Sequence, residues 1–248
     1  MLFFLFYSIL FFLKSIKNKK GDDEKQLAVF QPNKIRKTLF CGSVLINEKQ
    51  REILEYFILD SLKEEHVQKT WVLRYRSSRD GLNSTKFHDR CDNLDLPTIV
   101  LVKSDNGSIF GGFTLKDWDN ATHFFGHYTA DKKAFIFSLY NAMEPQREAL
   151  KFPIKNYQKA IWCRFDSLPN FGGYDICLFF FLSFCKCLFS LYLFDKIGLN
   201  ENIQYENRPC YSKSCLNYGY WANGKDPNTV LCGSNRFQIS EIEVFSLT

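Results

Sequence analysis

Residues 97–114 read PTIVLVKSDNGSIFGGFT, and this stretch gives the clearest indication of how the chain folds. The segment 97–103 is rich in β-branched residues, which is typical of a strand. Asp105, Asn106 and Gly107 are the residue types that a tight hairpin turn with left-handed backbone angles favours. With 108–114 as the partner strand, the stretch predicts an antiparallel β-hairpin.

Further short strands are predicted on both sides of this hairpin. Apolar and β-branched residues predict strands at 70–75, 134–139 and 160–164, and residues 237–245 alternate apolar and polar side chains with a break near Glu241. Short connections dominate, and no repeated strand–helix–strand unit appears. The sheet is therefore predicted to be antiparallel.

Two helices accompany the strands. Asn47 is a favourable N-cap with Gln50 three residues later, and apolar residues follow at helical spacing, so we predict a helix at 48–62. Ser84 is predicted to cap a short second helix that carries His88. The fold class predicted from these elements is α+β.

An apolar run precedes the predicted domain. Residues 1–13 (MLFFLFYSILFFL) have their positive charges after the run, which is the reverse of a secretory signal. The run is also shorter than the roughly 20 residues that a membrane-spanning helix needs. We interpret it as an interfacial anchor or a wrongly assigned start codon. Polar residues with Gly21 and Pro32 as breakers follow, so 1–34 is interpreted as the run plus a linker, ahead of one domain at 35–247.

Charge and cysteine content argue against two kinds of site. The formal net charge of +5 is spread along the chain, whereas a nucleic-acid-binding face needs clustered Lys and Arg, so no nucleic-acid partner is expected. The nine cysteines are odd in number and irregularly spaced, which is typical of reduced thiols. Neither Cys185/Cys187 nor Cys210/Cys215 has the spacing of a zinc site or a nearby His, so no metal or other cofactor is expected.

A series of short motifs runs along the chain in a familiar order. They are LRYRSSRDG at 73–81, FHDRCDN at 87–93, PTIVL at 97–101, FGGF at 110–113, AFIFSL at 134–139, FGGYDI at 171–176 and GSNRFQISEIEVF at 233–245. Together they cover nearly all of residues 35–247 and resemble the TLDc domain family.

The resemblance implies both a fold and a role. The implied fold is a single domain built as a mostly antiparallel β-sandwich flanked by short helices. TLDc proteins are associated with resistance to oxidative stress, and several bind the vacuolar proton-pumping ATPase (V-ATPase). The family has no accepted enzymatic mechanism. We therefore expect a cytoplasmic, monomeric interaction module without a catalytic centre, with V-ATPase subunits as the candidate partner.

The motifs also contain the candidate site residues. The candidate loop-organising or partner-binding residues are Arg79, Asp80, His88, Asp92, Asn93, Glu241 and Glu243. Those beside turns are expected to hold loops together by charge-assisted hydrogen bonds. Alternation along the last strand predicts that the two glutamates share one exposed face. Cys91, beside Arg90 and near His88, is the candidate redox thiol, with weak reactivity at most.

Five glycines of the motifs are assigned structural roles. They are Gly81, Gly111, Gly112, Gly172 and Gly173. Glycine is favoured in tight turns beside a sheet, where the backbone has a positive φ or approaches another segment closely, and we expect the five glycines to lie at such positions. The Gly111-Gly112 pair lacks the Lys and Ser/Thr of a phosphate-binding loop.

One segment departs from the TLDc pattern. Residues 178–200 begin with a strongly apolar stretch, and 176–194 is just long enough for a transmembrane helix. Lys186 at its centre would cost ~2.5–3.5 kcal/mol, and a span there would separate two halves of one sheet. We interpret the insert as an unspliced intron or another gene-model error. The alternative is a membrane-anchored TLDc protein that uses 1–13, 176–194 or both.

Overall fold

The computed structural model of the protein describes residues 40–62, 69–119, 126–172, 175–178, 212–213, 219–222 and 224–248. The predictions for the N-terminal run and linker, for Gly173 and for the insert beyond Leu178 lie outside these residues.

Helices are short and few in the described ranges. They are α1 (Glu48–Leu59), α2 (Ser77–Asp80) and α3 (Ser84–Cys91), with one 3₁₀ turn at Tyr157–Lys159. The strands are β1 (Trp71–Arg76), β2 (Thr98–Ser104), β3 (Ile109–Thr114), β4 (His127–Thr129), β5 (Phe135–Tyr140), β6 (Leu150–Pro153), β7 (Ile161–Cys163), β8 (Asn170–Phe171), β9 (Ile176–Cys177), β10 (Ser212–Lys213), β11 (Arg236–Phe237) and β12 (Ile239–Leu247).

The strands form two six-stranded sheets. The first has the order β1-β12-β2-β3-β5-β6, and the second has the order β11-β10-β9-β8-β7-β4. Every pairing between these strands is antiparallel. The predicted α+β class and antiparallel sandwich are therefore confirmed, and the chain's last strand lies inside the first sheet.

One hydrophobic core fills the space between the two sheets. Val100 and Val102 contribute to it from β2, and Phe171 contributes from β8. Trp118 connects the layers, because its ring contacts Phe87 of α3 at 5.6 Å and Phe171 at 5.5 Å between centroids. Its indole N–H donates to Thr98 Oγ1 at 3.0 Å, which satisfies the buried polar atom of this ring.

A second core covers the other face of the first sheet. Alternation along β2 sends Ile99 and Leu101 to this face, where Leu54 and Ile58 of α1 pack. The segment 40–46 lies over the same face, and Phe40 stacks on Trp71 at 5.2 Å. The first sheet is thus buried on both faces, which explains why β2 and β3 are apolar at successive positions.

Local capping chemistry sets the helix boundaries. Asn47 and Gln50 form the predicted capping box, with the Asn47 side chain accepting from the Gln50 backbone at 2.9 Å. Helix α1 ends at Leu59, three residues before the predicted end. In α3 the cap is Asn83 rather than Ser84, because the Asn83 side chain reaches the Lys86 backbone N–H at 2.8 Å.

Adjacent glycines in β3 allow the layers to approach. A Cβ on Gly111 would lie 1.9 Å from the carbonyl oxygen of Val100, and a Cβ on Gly112 would lie 2.5 Å from the ring of Phe171 in the second sheet. Gly81 and Gly172 instead have positive φ values of 97° and 65°. Gly111 and Gly112 therefore allow neighbouring backbone and the second sheet to approach β3 closely, whereas Gly81 and Gly172 allow turns with positive φ.

Candidate functional site

Asp80 is the centre of a charge network at the junction of β1, α2 and α3. Its carboxylate accepts hydrogen bonds from Arg79 Nη2 at 2.8 Å and from the Arg76 backbone N–H at 2.9 Å. Arg90 Nη2 of α3 lies 3.0 Å from its other oxygen. The Asp80 side chain is 3% exposed, whereas those of Arg79 and Arg90 are 44% and 47% exposed. The network ties α2 to α3 and presents two guanidinium groups to solvent.

The network should make the fold sensitive to acid. The hydrogen bond from Arg79 holds the pKa of the Asp80 carboxyl below its ordinary value of 3.8. A depressed folded-state pKa adds stability that is complete above the unfolded pKa and is lost as the pH falls through the folded value. We expect Asp80→Asn to lower the free energy of unfolding by about 2 kcal/mol at neutral pH. Its loss of stability on acidification below pH 3.8 should be shallower than that of the wild type. Urea titrations at a series of pH values give the free energy of unfolding of both proteins. The same dependence on pH in Asp80→Asn and in the wild type would contradict the prediction.

Glu243 of β12 binds the end of β1 and, from outside the sheet, residues 43–44. Its side chain has 0% exposure and pairs with Arg76, whose Nη2 and Nε lie 2.6 Å and 2.9 Å from Oε1. The carboxylate also accepts from the Ser43 hydroxyl and from the Val44 backbone N–H at 3.0 Å. Arg76 additionally donates to the carbonyl of Gly42. The Arg76–Glu243 pair therefore fixes residues 42–44 over the sheet.

Glu241 makes a similar connection two residues earlier. Its carboxylate accepts from the Ser77 hydroxyl, from the Ser78 backbone N–H at 2.9 Å and from the Ile242 backbone N–H at 3.2 Å. Burial acts to raise the pKa of the Glu241 carboxyl, but the hydrogen bonds from Ser77 and Ser78 outweigh it and the pKa is lowered. Glu241 thus holds the start of α2 against β12.

Glu241 and Glu243 were predicted to share an exposed face, and the prediction of exposure is wrong. The two residues are 9% and 0% exposed. Alternation does place them on one side of the strand, but residues 43–44 and the first turn of α2 cover that side. Two buried carboxylates on one strand are tolerated because each accepts several hydrogen bonds.

His88 links α3 to the loop between β7 and β8. Its Nδ1 lies 2.8 Å from Asp92 Oδ1, and its Nε2 lies 2.9 Å and 3.1 Å from the backbone oxygens of Arg164 and Ser167. The ring is 7% exposed. Both nitrogens are therefore engaged in holding a loop, and neither is directed towards a nucleophile. Asn93 follows with a positive φ of 55° and turns the chain towards Trp118.

Cys91 does not have the surroundings of a redox-active thiol. It has 0% exposure and lies in the core between the sheets, and burial raises its pKa. A raised pKa removes the thiolate that reacts with oxidants. The sequence pattern suggested activation because Arg90 and His88 are nearby in sequence. In the structure Arg90 pairs with Asp80, and His88 pairs with Asp92.

The other described cysteines, like Cys91, are free thiols. Cys163, Cys177 and Cys232 are buried like Cys91, whereas Cys41 is exposed. Burial raises the pKa of the Cys163 thiol to about 11. No three His, Cys, Asp or Glu side chains in this part of the chain come close enough together to hold a metal ion. None of its helices has the length and apolar character to cross a bilayer.

Sequence reasoning missed the basic partners of the predicted acidic residues. Arg76 and Glu243 are direct neighbours across the β1–β12 ladder, and opposite charges at such positions attract. The charge pattern would have suggested this pair once β1 was known to pair with β12. Arg90 would have required the packing of α3 against α2, for which a single sequence gives no signal.

The comparisons with known proteins agree with this architecture. A family model described as TLDc domain matches residues 40–248. The chain is also similar to the MTOR-associated protein MEAK7 of Danio rerio, at 31% identity over 87 residues, which are 35% of this chain and 18% of MEAK7. The family match begins at the segment that Glu243 fixes and ends after β12, so it includes both sheets and the whole charge network. The chain belongs to the TLDc domain family.

Proposed function

We propose that the chain is a non-enzymatic interaction module that contributes to resistance to oxidative stress by binding V-ATPase subunits. The observation that carries this proposal is the TLDc match over residues 40–248, because the family is associated with that resistance and several members bind the pump. The geometry supports the non-enzymatic part. Glu241 and Glu243 hold α2 and residues 43–44 against the first sheet, Asp80 joins α2 to α3, and His88 holds the loop between β7 and β8.

A pull-down from detergent-solubilised vacuolar membranes tests the partner. The full chain is immobilised, and retained proteins are identified by mass spectrometry. V-ATPase subunits should be enriched over a matched column that carries the heat-unfolded chain. A wild-type column that retains no pump subunit would refute the docking proposal. An alkaline-carbonate-resistant membrane pool of the endogenous protein would instead favour the membrane-anchored alternative.

The non-enzymatic part of the proposal predicts that Cys91 is dispensable for chemistry. Since the thiol is buried and its pKa is raised, Cys91→Ser should leave peroxide consumption by the purified chain unchanged. Consumption is followed over time at equal protein concentrations, with Cys41→Ser as the exposed-thiol control. A fall in rate with Cys91→Ser alone, in a variant that melts like the wild type, would assign a redox role to the core thiol.

A further inference from the structure

A surface of alternating lysine and aromatic side chains lies at the end of the second sheet, away from the Asp80 network in sequence. We call it the lysine–aromatic surface. Its members are Tyr128, Lys132, Lys155, Tyr157, Lys159 and Trp221, and all six are exposed. Tyr128 belongs to β4, the last strand in the order of that sheet, and three of the others lie in the loop 155–159.

Each lysine of the surface lies over one of its rings. Lys132 Nζ is 5.1 Å from the ring centroid of Tyr157, Lys159 Nζ is 5.4 Å from that of Tyr128, and Lys155 Nζ is 4.9 Å from that of Trp221. These distances are within the range of cation–π attraction. The rings therefore restrain three ammonium groups that would otherwise move freely on long side chains.

The backbone beneath these side chains is fixed by hydrogen bonds. The N–H groups of Lys155 and Asn156 both donate to the carbonyl of Gly219, at 2.6 Å and 3.0 Å, and Trp221 N–H donates to Pro153 at 3.0 Å. The carbonyl of Tyr157 accepts from Asp131 N–H at 2.9 Å. A surface held in this way loses little conformational entropy when a partner binds.

The nearest acidic residue in sequence does not face this surface. Asp131 precedes Lys132 but is 4% exposed. Its carboxylate accepts from the Thr114 hydroxyl at 2.9 Å, the Leu115 N–H at 2.7 Å and the Lys133 N–H at 2.8 Å. The carboxylate thus points into the protein, and the three lysines bring their formal positive charges together on one surface, which the even distribution of charge along the sequence did not reveal.

We propose that the lysine–aromatic surface binds an acidic segment of a partner protein, whose carboxylates pair with Lys132, Lys155 and Lys159. This inference rests on the proposed function, because it assigns the binding surface of the interaction module. Single-stranded nucleic acid fits less well, since its bases stack on open ring faces and here an ammonium group lies over one face of each ring. A lipid surface also fits less well. Tyr128, Tyr157 and Trp221 are 37%, 43% and 50% exposed, but an ammonium group lies over each ring and would have to be desolvated for the ring to enter a bilayer.

A fluorescence-anisotropy titration of the full chain tests the surface. The probe is a short fluorescein-labelled peptide in which glutamate alternates with leucine. The triple variant K132E/K155E/K159E should bind it at least about tenfold more weakly than the wild type does, because three attractive contacts become repulsive. The matched control is K49E/K86E/K116E, which reverses three exposed lysines elsewhere and should lose less than about threefold. Both variants are compared with the wild type by thermal unfolding.

Several outcomes would overturn the assignment. Equal losses of peptide affinity in the two triple variants would show that binding depends on the net charge of the protein and not on this surface. Tighter binding to phosphatidylserine vesicles or to oligo(dT), lost in K132E/K155E/K159E alone, would assign the surface to lipid or to nucleic acid. Tyr157→Ala should weaken peptide binding about threefold by releasing Lys132, and unchanged affinity would remove the ring from the site.

The pump pull-down separates this inference from the proposed function. If the wild-type chain retains no pump subunit but still binds the peptide through the three lysines, the proposed function fails and the surface stands. If K132E/K155E/K159E retains pump subunits and binds the peptide as the wild type does, the surface fails and the proposed function stands.

Discussion

Glu243→Gln is expected to lower the free energy of unfolding by about 3 kcal/mol or more, which is a large fraction of the stability of a domain this size. The substitution removes the charge that holds Arg76 and weakens the acceptor for Ser43 and Val44. It leaves the guanidinium of Arg76 only 16% exposed and without its carboxylate. Chemical denaturation followed by circular dichroism measures the change.

An exposed ion pair supplies the control for this prediction. Lys86 and Asp89 lie 3.7 Å apart with side chains 53% and 56% exposed. Pairs of this kind contribute roughly 0–1 kcal/mol, so Asp89→Asn should change stability little. Comparable losses in Glu243→Gln and Asp89→Asn would show that the buried pair is no more important than a surface one.

The double variant E243L/R76M distinguishes the pair from its surroundings. Replacing both members of a buried pair by apolar residues is often neutral or nearly so, because no unpaired charge remains. Here the replacement also removes the acceptor for residues 43–44 and the donor to Gly42. We therefore expect the double variant to be more stable than Glu243→Gln but less stable than the wild type. Limited proteolysis should cleave it near residue 43 faster than the wild type.

The local parts of this fold could be predicted from the sequence because they depend on near neighbours. The capping box of Asn47 and Gln50 and the hairpin of β2 and β3 were predicted within a residue or two. The break near Glu241 corresponds to the register irregularity between Ile239 and Glu241. Patterns of this kind are set within a few residues, where side-chain periodicity and capping preferences operate.

The burial of the candidate site could not be predicted, because it depends on residues that are distant in sequence. Glu243 is covered by Ser43, which lies 200 residues away in sequence. Alternation along a strand shows which residues share a face but not what covers that face. The lysine–aromatic surface has the same origin, since Tyr128 and Lys159 meet only when the loop 155–159 packs beside β4.

Gly111→Ala is expected to prevent stable folding, with a loss beyond about 3 kcal/mol, the upper end of ordinary overpacking costs. The added Cβ would lie 1.9 Å from the carbonyl oxygen of Val100, an atom in the ladder between β2 and β3. Backbone in the centre of a sheet cannot move without breaking its hydrogen bonds. Soluble yield and thermal unfolding report the effect. Gly107→Ala is the control, because its Cβ would meet nothing within 4 Å and only its φ of 90° is unfavourable.

Gly112→Ala should behave differently, although its glycine is adjacent. The nearest atoms to its Cβ, at 2.5–2.7 Å, belong to the ring of Phe171 in the opposite sheet. Overpacking against a side chain costs about 1–3 kcal/mol and can be relieved by a smaller partner. The double variant G112A/F171L should therefore recover at least about 1 kcal/mol relative to the sum of its single variants.

F137L should not rescue Gly111→Ala in this way, even though the Phe137 ring lies 2.8 Å from that Cβ, since the backbone contact remains. Rescue of Gly111→Ala by F137L would show that β3 can move away from β2. Strict additivity in the Gly112 pair would show that the ring of Phe171 is not what excludes a side chain there.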